Sequence, residues 1–154
     1  CYFLLLSVLV SGMVSAQNVN TTFRSKMVFN GQTLANVWGY VAPDGTEYGL
    51  LGGSQGLVIV NVSNPDNPQT VAQVLGPNSL WKEIKTYGHY AYVVSEGGGG
   101  IQIINLSTLP TVNPPSKYYT GDGAIAGQLN RIHALHIDTA QGYLYAYGGN
   151  LFSG

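Results

Sequence analysis

Charged residues are scarce in this sequence. Only 8% of its 154 residues are Asp, Glu, Lys or Arg, and the formal net charge is −1, whereas soluble domains usually contain about 25% charged residues. This balance excludes a strong electrostatic surface for nucleic acid or for an anionic membrane. We therefore expect no nucleic-acid partner.

Cysteine is almost absent as well. The one cysteine is Cys1, so the chain can form neither an internal disulfide framework nor a cysteine-based zinc site. The sequence is instead rich in glycine and tyrosine, with 21 and 11 residues respectively. Together with frequent Asn and Thr, this composition favours strands joined by tight turns. We therefore expect an all-β fold.

The first 16 residues resemble a secretory signal peptide. An apolar run over 1–10 is followed by small residues at Val14 and Ala16, which predicts cleavage before Gln17. The run is shorter than the roughly 20 apolar residues that a membrane span needs, and a buried core helix is the other alternative. Because no positive n-region precedes the run, we interpret 1–16 as a signal peptide truncated at its N-terminus. The mature part is expected to be secreted, extracellular or on the cell surface, without a membrane-spanning segment.

An internal repeat follows. Three positions recur 44 residues later, as Tyr48 and Tyr92, Gly56 and Gly100, and Asn61 and Asn105. Trp38 and Trp81 are 43 residues apart, and a third copy begins at Ile132 and continues through Gly148. A period of 40–45 residues with four short strands per unit is typical of a β-propeller. A β-sandwich is the alternative that also gives many short strands with turns.

Strands are predicted from β-rich segments that are separated by Gly, Pro, Asn and Asp turns. The first unit has strands at 36–41, 47–51, 57–62 and 70–75, and the second has strands at 83–87, 90–95, 101–106 and 117–120. We expect residues 17–35 to be a lead-in strand region. Residues 36–154 are expected to form about two and a half four-stranded blades of a partial β-propeller, incomplete at the C-terminus.

Three stretches carry a resemblance to a known family. Residues 56–68, Gly-Leu-Val-Ile-Val-Asn-Val-Ser-Asn-Pro-Asp-Asn-Pro, resemble the LVIVD repeat. Residues 80–107 and 132–138 are similar to secreted bacterial choice-of-anchor B proteins. The chain departs from the usual pattern at Asn61, Glu83, Gly99 and Ala134. The resemblance implies a β-propeller, export, and a C-terminal sorting or anchoring segment in a missing part, and it implies no particular reaction.

The glycine run that follows Glu96 is the first candidate site. A phosphate-binding loop uses backbone N–H groups at a helix N-terminus, whereas a strand is predicted after Gly100. We therefore interpret Glu96–Gly100 as a flexible inter-strand turn. The insertion 121–130 between the second and third units, which contains Asp122, is the best candidate for a binding loop.

Two histidines, His133 and His136, are the remaining candidates. In a strand, residues three apart point to opposite faces, so the pair is not expected to bind one metal ion, although Asp138 shares the face of His136. His133 could line a central channel. The two tryptophans are expected to be blade-packing core residues. The predicted binding residues are therefore Glu96, Asp122, His133 and His136.

No catalytic residue, no metal site and no cofactor is predicted. The sequence favours a non-enzymatic extracellular or cell-surface scaffold that binds an unknown protein or glycan partner. The alternative is an exported hydrolase or lyase with its site on the rim of the propeller channel, involving His133 or Glu96.

Overall fold

The computed structural model describes residues 20–151, and the predicted signal peptide lies outside them. Within the described residues the fold consists of strands and two short 3-10 turns, Leu106–Thr108 and Gly123–Ile125. The strands are β1 (Leu34–Val41), β2 (Glu47–Gly53), β3 (Gly56–Asn61), β4 (Gln69–Leu75), β5 (Lys82–Tyr87), β6 (Tyr90–Ser95), β7 (Ile101–Asn105), β8 (Ser116–Tyr119), β9 (Ala134–Asp138) and β10 (Tyr143–Tyr147).

These strands form three antiparallel sheets within residues 20–151. Blade one has the order β1-β2-β3-β4, blade two has the order β5-β6-β7-β8, and the third unit is the hairpin β9-β10. Within each sheet, each strand pairs with the next one along the chain. The eight strands predicted for the first two units are confirmed, with ends that differ by one or two residues.

Blade two is covered on both faces. One face packs on blade one and the other packs on the third unit, which gives two separate hydrophobic cores. The first core joins side chains that are fully buried, among them Leu50, Leu57, Ile59, Ile84 and Ile104. The second core joins Val94, Ile101, Leu129, Ile132, Leu135 and Ile137. Burial on both faces explains why the strands of these blades are continuous apolar runs.

The first strands of successive units are neighbours, since β1 contacts β5 and β5 contacts β9. Sheets that stack face to face with their first strands adjacent are the arrangement of propeller blades around an axis. The fold is therefore all-β and is a partial β-propeller, with two four-stranded blades and the first hairpin of a third. This confirms the predicted fold class.

The recurring Asn-x-Ser sequence ends the third strand of each blade. The Asn61 Oδ1 accepts a hydrogen bond from the Ser63 backbone N–H at 3.0 Å, and the Asn105 Oδ1 accepts one from the Ser107 N–H at 2.9 Å. Both are Asx turns, in which a short polar side chain satisfies a backbone donor two residues further on. The motif therefore has a structural role as the stop signal of the strand.

The two tryptophans do not occupy equivalent positions. Trp38 pairs with Leu50, but Tyr92, the register equivalent of Leu50 in blade two, pairs with Lys85 and not with Trp81. The prediction that both are core residues is also wrong in its burial, because Trp38 is 38% exposed and Trp81 is 41% exposed. Both instead lie at junctions between neighbouring units.

Residues 20–33 contain no strand, and β1 begins at Leu34. This lead-in is fastened to the loop between β3 and β4 of blade one. Two hydrogen bonds of 2.7 and 2.6 Å join the Arg24 guanidinium to the Asp66 carboxylate. The Ser25 hydroxyl donates to the Pro65 carbonyl oxygen at 2.6 Å.

The antiparallel topology brings several loops to one end of the blades. The turns that join the second and third strands lie there, at 54–55 in blade one and 96–100 in blade two. The connections between units, 76–81 and 120–133, lie at the same end. We call this the connection end. It carries the Glu96 turn, the insertion that contains Asp122, and His133.

Candidate functional site

The turn between β6 and β7 is tightly held. The Asn130 Oδ1 accepts a hydrogen bond from the Gly99 N–H at 2.9 Å, and the Asn130 carbonyl accepts one from the Gly100 N–H at 2.6 Å. Asn130 is the last residue of the insertion, so the insertion holds the turn in place.

Glycine is required in this turn for steric reasons. Gly98 and Gly100 have φ values of 107° and 66°, which side chains other than glycine rarely adopt. A Cβ on Gly100 would overlap the Tyr119 carbonyl oxygen, and one on Gly98 would lie 2.7 Å from the Asn130 Oδ1. The interpretation of this segment as an inter-strand turn is correct, but its flexibility is not supported, because its surroundings enclose it.

The fixed turn presents Glu96 to His133. The two predicted residues meet, with 2.6 Å between the His133 Nδ1 and the Glu96 Oε1. An ionised carboxylate can only accept, so the Nδ1 carries the hydrogen and donates it. The two side chains are about half exposed, at 48% for His133 and 54% for Glu96. The pair is therefore formed at the surface and is accessible to a ligand.

Trp81 completes this cluster from the connection between blades one and two. Its indole lies parallel to the His133 imidazole, with the ring centroids 4.7 Å apart and an angle of 6° between the planes. Its Nε1–H also donates to the His133 carbonyl oxygen at 2.8 Å. The ring and the backbone of His133 are thus both held by Trp81.

A polar cleft of about 420 Å³ opens beside the pair. It is lined by Glu96, Arg131, Gly148, Gly149 and Asn150. Its volume lies within the range of roughly 300–1,000 Å³ that is usual for small-molecule sites. Glu96 thus belongs both to the pair with His133 and to the wall of the cleft.

Asn150 fixes one wall of the cleft. Its Oδ1 accepts hydrogen bonds from the backbone N–H groups of Asn130 and Arg131 at 2.8 and 3.0 Å. Its Nδ2 donates to the Gln128 carbonyl at 2.9 Å. Because the side-chain amide is engaged with backbone groups, Asn150 acts as a positioning residue for Arg131.

Arg131 differs from the other charged residues of the cluster. Within residues 20–151 its guanidinium makes no ion pair and donates no hydrogen bond. The second oxygen of Glu96, Oε2, likewise accepts no hydrogen bond from the described residues. Two residues of the same cleft, Arg131 and Glu96, therefore carry a donor group and an acceptor atom that have no partner within residues 20–151.

The other two predicted binding residues lie elsewhere. His136 is in the middle of β9, exposed and paired in register with Tyr145, and it does not line the cleft. Asp122 precedes the 3-10 turn Gly123–Ile125 and makes no capping hydrogen bond with its side chain. Burial and the Asp122 charge both raise the pKa of the Tyr119 hydroxyl. The four predicted residues thus form no single site.

The first junction is closed where Gly52 of β2 faces Lys82, the first residue of β5. A Cβ on Gly52 would lie only 3.2 Å from the Lys82 Cβ, so the backbone segments of β2 and β5 pack directly on each other there. The Glu96–His133 pair, in contrast, is open to solvent at the second junction.

Lys82 is buried at this first junction, with only 1% of its surface exposed. Its Nζ donates to the Pro77 carbonyl at 2.6 Å and approaches the Ser54 carbonyl and the Ser95 Oγ at 3.4 and 3.5 Å. Burial lowers the pKa of Lys82, because a low-dielectric environment disfavours the charged form. Lys82 fastens three loops of the connection end together.

Within residues 20–151 no group of three or more His, Cys, Asp or Glu side chains could hold a metal ion. The same residues include no helix that is long and apolar enough to cross a membrane.

The sequence reasoning missed Arg131, Asn150 and the surface role of Trp81. Arg131 is one of only six Lys and Arg residues in the chain, and it lies two residues before His133. Both facts could have identified Arg131 as a candidate site residue from the sequence. Asn150 could not be found, because its contacts depend on how β10 returns to the insertion. The cleft is therefore only partly visible in the sequence.

Comparison with known proteins identifies the repeat. Two stretches, residues 51–75 and 82–109, match the model of the LVIVD repeat. They correspond to β2–β4 of blade one and to the segment from β5 to the 3-10 turn after β7. No curated protein and no solved structure matches the chain significantly. The resemblance to the LVIVD repeat is thus confirmed in both blades.

Proposed function

We propose that this protein is a non-enzymatic β-propeller scaffold that binds a protein or glycan partner at its connection end. The observation that carries the proposal is the cleft between blade two and the third unit, where Glu96 and Arg131 have hydrogen-bonding groups without partners in residues 20–151. Loops on a rigid β scaffold are common positions for binding residues, and the clamped turn gives this cleft a fixed shape.

The geometry supports binding more than catalysis. Glu96 and Arg131 line the cleft, whereas His133 does not line it and contacts Glu96 through its Nδ1. The imidazole therefore acts on a ligand through Glu96, by holding the carboxylate in one orientation. Such a preorganised hydrogen-bonding wall is what a polar ligand requires.

Export to the cell exterior is part of the proposal. It is supported by the signal-peptide pattern at 1–16 and by the similarity of residues 80–107 to secreted choice-of-anchor B proteins. We propose that the mature protein is extracellular or held on the cell surface by a C-terminal anchor. Expression in the native host, followed by fractionation and N-terminal sequencing, tests this directly: the mature chain should begin at Gln17 and should be found outside the cytoplasm.

Binding at the cleft is tested with an array of neutral and acidic oligosaccharides, followed by biolayer interferometry on those retained. Glu96→Ala and His133→Ala should weaken binding at least about tenfold, since each removes one member of a charge-assisted hydrogen bond. His136→Ala is the matched control, because this histidine is exposed on β9 outside the cleft. Equal binding by all four proteins would contradict the location of the site.

One observation favours the alternative, an exported hydrolase or lyase. The contact of the His133 Nδ1 with Glu96 leaves the Nε2 as a possible proton acceptor, an arrangement that general bases use. A screen of glycan substrates separates the two functions. Turnover that His133→Ala abolishes at an unchanged melting temperature would establish the enzyme, whereas binding without turnover supports the scaffold.

A further inference from the structure

We propose that the ligand of the cleft is a saccharide that carries a carboxylate, held by Arg131 through the acid group and by Glu96 through ring hydroxyls. This inference rests on the proposed binding function and names the chemical class of its ligand. It uses two groups, the Arg131 guanidinium and the Glu96 Oε2, that have no partner among the described residues.

The Arg131 guanidinium is the group of the cleft that points to an anionic ligand. The Glu96 carboxylate already has the His133 Nδ1 as its partner at 2.6 Å, while the Arg131 guanidinium has no acidic partner within residues 20–151. A planar guanidinium presents donors in the geometry that a carboxylate accepts in pairs. A carboxylate is therefore the group that would best satisfy Arg131.

The same ligand must also donate hydrogen bonds. The Glu96 Oε2 is an acceptor without a partner among the described residues, and an anionic group cannot donate to it. A carboxylated sugar ring carries an acceptor acid and donor hydroxyls a few ångströms apart, so one ring can satisfy both walls.

The size of the cleft agrees with a single sugar ring. Its volume is about 420 Å³, which is in the range of small-molecule sites. A standard protein partner instead needs a contact surface of about 800 Å² on each side. Gly148 and Gly149 form part of the lining, and the absence of side chains there allows a ring to approach the backbone closely. The site thus fits a ring at the end or along the side of a glycan chain.

The test compares acidic oligosaccharides with their carboxyl-reduced forms, which have the same rings and linkages without the charge. Three uronate-containing oligosaccharides, built on galacturonate, glucuronate and mannuronate, are titrated calorimetrically at low salt. We expect at least one acidic member to bind about 10- to 100-fold more tightly than its neutral counterpart, the range for a hydrogen bond to a charged group. Raising the salt concentration should reduce this preference.

Arg131→Gln should remove the preference for the acidic form while leaving binding of the neutral form in place. Lys117→Gln is the matched control, because Lys117 is an exposed cation on β8 outside the cleft, and it should keep the preference. Circular dichroism of both variants checks that the fold is unchanged.

Three results would overturn the inference. Equal affinity for the acidic and neutral forms, or a preference that survives Arg131→Gln, refutes the assignment of Arg131 while the proposed scaffold function stands. Binding of acidic peptides that exceeds binding of every acidic sugar refutes the saccharide class. Absence of binding to all six oligosaccharides refutes the inference, and the broader array then decides the scaffold function separately.

Discussion

The Trp81 indole and the His133 imidazole lie parallel, 4.7 Å apart, although 52 positions separate them in the chain. The same indole donates its Nε1–H to the His133 carbonyl. At the other junction, the Trp38 Nε1–H donates to the Thr86 Oγ1 at 3.0 Å, and the Lys85 ammonium lies 4.4 Å from the centre of the Trp38 ring. Each tryptophan thus links its unit to the next one, but through different partners.

Trp81→Phe should separate the two contacts of this residue. The phenyl ring can still stack on His133, but it cannot donate to the carbonyl, which should lower the free energy of unfolding by about 0.5–1.5 kcal/mol. Trp38→Phe is the control, because it removes the equivalent type of bond at the first junction. Chemical denaturation should show similar losses for both variants, and calorimetry should show weaker ligand binding for Trp81→Phe alone. Equal binding by the two variants would disprove a role of Trp81 in the cleft.

Gly100→Ala should destabilise the protein more than Gly88→Ala does. Both glycines have a positive φ, at 66° and 57°, so both substitutions carry the left-handed backbone penalty of about 1–2 kcal/mol. At Gly88 a Cβ meets no atom within 4 Å, whereas at Gly100 it overlaps the Tyr119 carbonyl. Overpacking adds about 1–3 kcal/mol to the loss for Gly100→Ala. Urea denaturation of the two variants measures the difference, and equal losses would show that the turn can relax.

Lys82 should make stability depend on pH in the alkaline range. Because its pKa in the folded protein is lowered by burial, the unfolded chain binds more protons between that lowered pKa and the ordinary lysine pKa of about 10.4. The contribution of Lys82 to the free energy of unfolding therefore rises with pH between the two pKa values, and it is lower at pH values below the lowered pKa. The comparison is between the wild type and Lys82→Met, which lacks the titrating group.

The measurement is the free energy of unfolding of both proteins at pH 7 and near pH 10. The difference, wild type minus Lys82→Met, should increase with pH. Tyrosines titrate in the same range but are present in both proteins, so their effect cancels to first order. A difference that stays constant would show that the Lys82 ammonium is fully compensated by its oxygen acceptors.

The Arg24–Asp66 pair should make stability depend on pH in the acidic range. The Arg24 guanidinium lowers the pKa of the Asp66 carboxyl, so the folded state favours the ionised form. Stability from this pair is present above the ordinary aspartate pKa of about 3.9 and is lost as the pH falls through the lowered value. Melting temperatures of the wild type and Asp66→Asn should differ at pH 7 and converge in strong acid. Because the pair is exposed, raising the salt concentration should also reduce the difference.

Much of the fold could be predicted because its signals are local. Strand periodicity, Asp-Gly and Asn-Pro turns, and the recurrence of Gly56 as Gly100 each depend on a few adjacent residues, and the strand ends follow within two residues. The equivalence of the tryptophans failed because it was counted along the chain. Leu50 pairs with Ile59, but Ile103, the equivalent of Ile59, pairs with Tyr92. The turn between β6 and β7 is therefore longer than the turn between β2 and β3, so the residues that precede these turns do not keep the 44-residue offset.

The candidate site was only half predicted for a related reason. Glu96 and His133 stand out as charged or titratable residues next to turns, and chemistry alone made them candidates. Their contact depends on Asn130 and Asn150, which hold two loops together. These hydrogen bonds join residues that are distant in the sequence, so no local sequence pattern predicts them. Asp122 and His136 satisfied the same chemical criterion, but the backbone places them outside the cleft.

The cleft is made of residues from both sides of one junction, with Glu96 from blade two and Arg131 from the segment that enters the third unit, and His133 of that segment contacts Glu96. Copying a single blade during evolution therefore transfers only half of such a cleft, and the other half is inherited from whichever blade comes next. The first junction has the sealed contact of Gly52 with Lys82, and the second has the open Glu96–His133 pair. Recognition in such an array can diversify junction by junction, while the strands that support it remain under unchanged constraints.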